Sequence, residues 1–142
     1  SGVTDAGKTI LLNNSFKGST VAADYHLILI SDTSGVDRDL TTLAGVTELP
    51  TGAGYTAGGK DIAYSAMTVT DVGGTPGAKM VIDDQQWDAT GTFPASGTGA
   101  RYAVLADGTT SSDNIIAWFD LTEASGQFLK LSGCEVDLNA PA

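Results

Sequence analysis

The hydrophobic pattern of this chain changes period once, near its N-terminus. Thr4 to Phe16 follow a helical pattern: Thr4 suits a cap, Asp5 suits the positive end of a helix, and Ile10, Leu11 and Leu12 supply an apolar face. Asn13, Asn14 and Gly18 are the stop signals. The next apolar run, Tyr25-His26-Leu27-Ile28-Leu29-Ile30, is rich in β-formers and bounded by turn residues. It predicts a strand buried on both faces or nearly so, at the centre of a sheet. Further strand candidates recur at short intervals: Ile62 to Val69, Lys79 to Trp87, Arg101 to Ala106, Asn114 to Leu121, Gln127 to Leu131 and Cys134 to Leu138. Turn signals separate them at Gly73-Gly74-Thr75-Pro76-Gly77, Pro94 to Gly99 and Asp107-Gly108, where Gly supplies positive φ and Pro fixes the turn entry. The pattern predicts a mainly β fold, an antiparallel β-sandwich or barrel-like domain with one short N-terminal helix. A single domain spans residues 1–142, with an N-terminal helical segment at 1–20. Residues 31–59 read as a long loop excursion whose only apolar pieces lie around Leu40 to Leu43 and Val46 to Leu49. No internal repeat or heptad seam argues for a solenoid or a coiled coil.

Length and composition fit one packed domain: 142 residues, 42% of them hydrophobic. Charge narrows the partners. Seventeen Asp and Glu against seven Lys and Arg give a net charge of -10, a field that repels phosphate backbones and anionic membranes and favours basic protein surfaces and cations. Nucleic acid and membrane are therefore not expected partners. The apolar run at Leu27 to Ile30 is far short of the roughly 20 residues that cross a bilayer, and no leader pattern precedes Ser1, so the expectation is a soluble, unexported chain. Cys134 is the single cysteine; it forms no intrachain disulfide and is expected to be buried and inert.

Candidate chemistry is sparse. The sole histidine, His26, sits inside the apolar strand, where a hydrogen-bonded core or strand-end imidazole is expected in place of a catalytic base. No Gly-x-Ser-x-Gly elbow, His-Glu-x-x-His helix or Cys-His pairing is present. Gly52-Ala53-Gly54-Tyr55-Thr56-Ala57 echoes a glycine phosphate fingerprint, but no helix pattern follows to point amides at an anion. It is expected to be a glycine-rich turn presenting Tyr55. Asp83-Asp84 with Asp88, and Asp37 with Asp39, carry the oxygen ligands that calcium prefers but lack EF-hand spacing, and read as turn-forming, solvated carboxylates. Asn13-Asn14-Ser15 formally matches a glycosylation acceptor and reads as a helix end. Trp87, Tyr102, Trp118 and Phe119 alternate with small or polar residues as core aromatics do; a ring left exposed would anchor a protein interface or stack on a sugar. No catalytic residue, metal set or cofactor is expected.

Several segments, taken in order, resemble a family of small virion structural proteins of tailed bacteriophages. They are Val3-Thr4-Asp5-Ala6-Gly7-Lys8, Tyr25-His26-Leu27-Ile28-Leu29-Ile30, Glu48 followed by Gly54-Tyr55, Trp87-Asp88-Ala89, Ala100-Arg101-Tyr102-Ala103-Val104-Leu105 and Ile115-Ile116-Ala117-Trp118-Phe119-Asp120-Leu121. The resemblance implies assembly into a particle without substrate turnover, in a head-decoration or a tail-fibre role. A decoration protein would clamp neighbouring capsid or other virion proteins through the N-terminal segment and the 31–59 excursion, with Thr4, Ile10, Leu11, Phe16, Leu40, Leu43 and Tyr55 as candidate interface residues. A tail-fibre or spike domain would contact a host glycan through Tyr55 or Trp87. The class also implies a homo-oligomer, a trimer among the options, located in the virion after assembly in the host cytoplasm.

Overall fold

The computed structural model describes residues 2–22, 24–31, 35–63, 67–71, 78–88, 99–121, 128–131 and 134–137. The fold is mainly β with a single short N-terminal helix. In chain order the elements are β1 (Gly2–Val3), α1 (Asp5–Phe16), β2 (Tyr25–Ser31), a 3-10 turn (Leu43–Gly45), β3 (Lys60–Ile62), β4 (Met67–Asp71), β5 (Ala78–Ile82), β6 (Gln85–Asp88), β7 (Ala100–Ala106), β8 (Ile115–Asp120), β9 (Phe128–Leu131) and β10 (Cys134–Asp137). All pairing among the described residues is antiparallel. A five-stranded sheet has the order β1-β8-β7-β2-β3, a three-stranded sheet the order β10-β5-β4, and β6 pairs with β9.

The five-stranded sheet is covered on both faces, and β2, β7 and β8 read as nearly continuous apolar runs for that reason. Alternation sends Leu27, Leu29, Ala103 and Leu105 to one face, where Tyr55, Ile82 and Trp87 pack on them. Ile28, Ile30, Val104 and Trp118 go to the other, beneath Val36, Leu40, Leu43 and Val46. Leu27 to Ile30 are fully buried, each side chain stabilising the fold by about 1.5–3 kcal/mol. Strand β2 lies inside the sheet, beside β7, as its apolar run predicts.

Two predicted strands each divide in two. Ile62 to Val69 becomes the end of β3 and the start of β4, in different sheets; Lys79 to Trp87 becomes β5 and β6, again in different sheets. In the second case the break falls at Asp83-Asp84, both exposed, because two adjacent carboxylates cannot keep one face of a strand buried. Strand β1 is too short to register in any hydrophobic period. The turn signal at Asp107-Gly108 opens the β7–β8 connection, whereas Gly73 to Gly77 and, of the signal at Pro94 to Gly99, all but Gly99 lie outside the described residues.

The excursion at 31–59 is the layer that closes the second face of the sheet. Its segment at 47–49 extends the free edge of β2: Leu49 N–H donates to the Leu29 carbonyl at 3.0 Å and Ser31 N–H to the Thr47 carbonyl at 3.0 Å. At the other end, Leu43 N–H and Ala44 N–H donate to the carbonyls of Asp113 and Ser111, and Ile115 N–H donates to the carbonyl of Thr41. These bonds join the excursion to the β7–β8 connection.

Close approach fixes two glycines. A Cβ at Gly7 would overlap the backbone of Ile116 on β8, and one at Gly59 would overlap the carbonyl of Leu27 while also straining a φ of +68°. Gly7→Ala is expected to push α1 off β8 and cost about 1–3 kcal/mol, seen as a lowered urea midpoint with an unchanged slope. An unchanged midpoint would contradict this packing.

Candidate functional site

Helix α1 is built from its cap outward. Thr4 Oγ1 accepts from Gly7 N–H at 2.9 Å and donates to the Ile115 carbonyl, while Thr4 N–H donates to the Ile116 carbonyl at 3.0 Å. Thr4 is thus a fully buried cap that welds the helix to β8 and offers no surface to a partner. In the first turn, Asp5 N–H donates to the Arg38 carbonyl and the Asp5 carboxylate accepts from Arg38 Nη2 at 3.1 Å. Hydrogen bonding to Arg38, with help from Lys8, holds the Asp5 carboxyl below the usual carboxylate range.

Because successive residues turn by about 100°, fixing Gly7 against the sheet decides every other side chain of the helix. Ile10 packs on the core and Leu11 is half-buried. Asp5, Thr9, Leu12 and Phe16 form the outward stripe. Leu12 and Phe16, four residues apart and hence side by side, are 58% and 83% exposed. Of the candidate interface residues, Phe16 alone is exposed. Leu12, expected on an inward apolar face, stands outside. The run Ile10-Leu11-Leu12 spans too wide an arc to show which side faces the sheet, and the signal that does so is Gly7.

The other candidate interface residues serve the fold itself. Leu40 and Leu43, within the excursion, pack down on the second face of the sheet. Tyr55 is only 2% exposed. Gly52 and Tyr55 exchange two backbone hydrogen bonds at 2.9 Å around Ala53 and Gly54, both at positive φ. This is a tight hairpin turn followed by β3, without a helix at which to hold a phosphate. The turn drives the Tyr55 ring inward, where its hydroxyl donates to Glu48 Oε1 at 2.6 Å and accepts from Leu29 N–H at 3.2 Å. Glu48 Oε1 also accepts from Gly58 N–H at 2.6 Å. Burial, and then the Glu48 carboxylate beside it, push the Tyr55 phenol well above its ordinary value. Trp87, 4% exposed, lies 6.4 Å from the Tyr55 ring, with Lys60 Nζ 5.4 Å from its centroid. Both rings proposed for sugar stacking are interior, filled by core contacts.

Several of the remaining carboxylates build turns. Asp37 Oδ1 accepts from Asp39 N–H, Asp107 accepts twice from Asn114, and Asp113 accepts from the N–H and hydroxyl of Thr110. The Thr110 amide above all keeps the Asp113 carboxyl below its usual range. His26 is half-buried in β2, and its Nδ1 is buried with no hydrogen-bond partner among the described residues, where a bonded imidazole was expected. No group of three or more His, Cys, Asp or Glu among the described residues is placed to hold a metal ion. No helix there is long and apolar enough to cross a membrane. Cys134 opens β10 by its backbone; its side chain lies outside the described residues.

The chain matches no protein-family model, no curated protein and no solved structure. The outward stripe of α1 is thus defined by its geometry alone.

Tyr55→Phe is expected to cost about 1–3 kcal/mol, because Leu29 N–H and Glu48 lose a buried partner. The raised phenol adds a pH signature. The unfolded chain releases this proton near the ordinary value of about 10 while the folded chain keeps it, so this contribution is complete below pH ~10 and lost as pH rises beyond it. Urea titrations from pH 8 to 11 should show a steeper alkaline loss in the native chain than in the Phe variant. Parallel profiles would contradict the assignment.

Proposed function

We propose that this chain is a structural subunit of a tailed-bacteriophage virion, a decoration protein bound to the outer capsid surface, which acts by protein–protein contact and not by substrate turnover. The observation that carries this reading is the Leu12–Phe16 stripe: two large apolar side chains held in water on a helix that cannot rotate, because Thr4 and Gly7 lock it to β8. Exposed apolar residues on a rigid element are the mark of an anchor awaiting a partner surface. The ordered resemblance to phage virion proteins supports the particle as the place where that partner is found. A coat of many symmetric copies also suits a small domain that uses no disulfide.

The N-terminal segment is integral to the fold, so its role is tested at its surface and not by deletion. Leu12→Asp/Phe16→Asp leaves the core contacts untouched and is expected to keep the native thermal midpoint. Each side chain buried at an interface is worth about 1.5–3 kcal/mol, so co-sedimentation with expanded capsids should weaken roughly 100-fold or more. Full occupancy by the double variant, or no binding by the native chain, would overturn the reading.

A further inference from the structure

The two faces of the five-stranded sheet are covered differently. On the first, Leu49, Tyr55, Ile82 and Trp87 are themselves buried, so both sides of that contact are dry. On the second, Ile28, Ile30, Val104 and Trp118 are buried, yet the side chains laid over them, Val36, Leu40, Leu43 and Val46, are only half-buried. No residue from 35 to 46 is fully buried. This layer is a single stretch of chain with water on its outer side.

The stretch is folded by its own turns. Asp39 N–H donates to Asp37 Oδ1 at 2.9 Å, Gly45 N–H to the Thr42 carbonyl at 3.0 Å and Val46 N–H to the Leu43 carbonyl at 3.3 Å. Its hydrogen bonds to the rest of the described residues fall at two places. At one, Arg38 meets the first turn of α1: its carbonyl accepts from Asp5 N–H at 2.9 Å, and its guanidinium pairs with the Asp5 carboxylate at 3.1 Å, both side chains about half-exposed. At the other, Thr41, Leu43 and Ala44 bond to Ile115, Asp113 and Ser111. The Asp113 carboxylate shapes that second anchor, accepting from the Thr110 N–H and hydroxyl at 2.7 and 2.8 Å. None of these bonds reaches β2 or β7, which carry most of the face underneath. Beyond Val46 the chain changes character, because the segment at 47–49 bonds to β2 and Leu49 belongs to the first core.

We infer that residues 35–46 form a cover, latched through Asp5 and Asp113, that opens as one unit while the sheet and its first core stay folded. Opening the cover breaks contacts that are already half wet, whereas opening the first face strips a dry core. The cover therefore has the lower free energy of release. What holds it is an exposed ion pair and a few hydrogen bonds near the surface, each weak in water. The pairing at 47–49, fixed by buried Leu49, is the hinge. Opening brings Ile28, Ile30, Val104 and Trp118 to solvent, so the two latches decide whether this side of the molecule shows a polar surface or an apolar one.

Neighbouring residues of β2 report the two faces. In a Cys134→Ser background of the full chain, Ile28→Cys sets a thiol under the cover and Leu29→Cys sets one in the first core. Without denaturant, a thiol reagent should label Ile28→Cys at least about tenfold faster than Leu29→Cys. Its rate should also depend less steeply on urea, since the cover exposes less surface than global unfolding. Arg38→Met should speed labelling at Ile28→Cys about two- to fivefold, and Asp113→Asn about fivefold or more. Both latches are broken in global unfolding too, so Leu29→Cys should quicken by the same factors. Ile82→Val weakens the first core alone and should speed Leu29→Cys about two- to tenfold, leaving Ile28→Cys unchanged. Should either cysteine disturb folding, hydrogen exchange of the native chain reads the same event. The amides of Leu43, Ala44 and Ile115 should then exchange together, ahead of those that pair β2 with β7. Equal labelling rates with a common urea dependence, Ile82→Val acting on both positions alike, Ile28→Cys indifferent to both latch variants, or exchange of all these amides only on global unfolding would overturn the inference.

Discussion

Strand β2 must satisfy two edges of hydrogen bonds while both of its faces are apolar, and most of the chain is arranged to meet that demand. Strand β7 serves one edge from His26 to Ser31. The other edge is divided: β3 pairs with Tyr25 to Leu27, the segment at 47–49 bonds to Leu29 and Ser31, and the two meet at a gap. There the Tyr55 hydroxyl takes the Leu29 N–H. Glu48 holds that hydroxyl and the Gly58 amide together, so one carboxylate ties the turn at Gly52–Tyr55, the entry to β3 and the edge of β2 into a single joint. A buried donor left unpaired at that gap would cost about as much as the joint contributes.

This joint also determines what the surface has left to offer. The excursion is drawn tight over the second face of the sheet, and its leucines and its tyrosine are used inside the molecule. The aromatic rings that would suit a glycan are occupied in the same way. Among the described residues, large apolar groups reach water instead at Leu12 and Phe16 on α1, at Val21 and at Val69 on β4.

Legibility in the sequence followed the range of the interactions. Thr4, Asp5 and Gly18 mark α1 because caps and stops are local, and β2, β7 and β8 are visible because burial on both faces leaves unbroken apolar runs. A change of sheet carries no such mark: β3 and β4, or β5 and β6, look continuous in a period of two, although Asp83-Asp84 was a usable break. The direction of Tyr55 depends on Glu48 and Leu29, which only the folded chain brings together. The side of α1 facing water depends on a glycine fitting against Ile116, a contact more than one hundred residues away in sequence. The glycines at 52–57 form a tight turn that leads into β3 and not into a helix.

The Thr4–Gly7 side of α1 lies on the sheet, and the proposed function sets its Leu12–Phe16 side on another protein of the particle. Cryo-electron microscopy of expanded capsids saturated with the chain tests this most directly. The expected map holds the domain on the outer shell with Leu12 and Phe16 buried against protein. A shell without the domain, or a bound domain whose α1 stripe faces solvent, would contradict it.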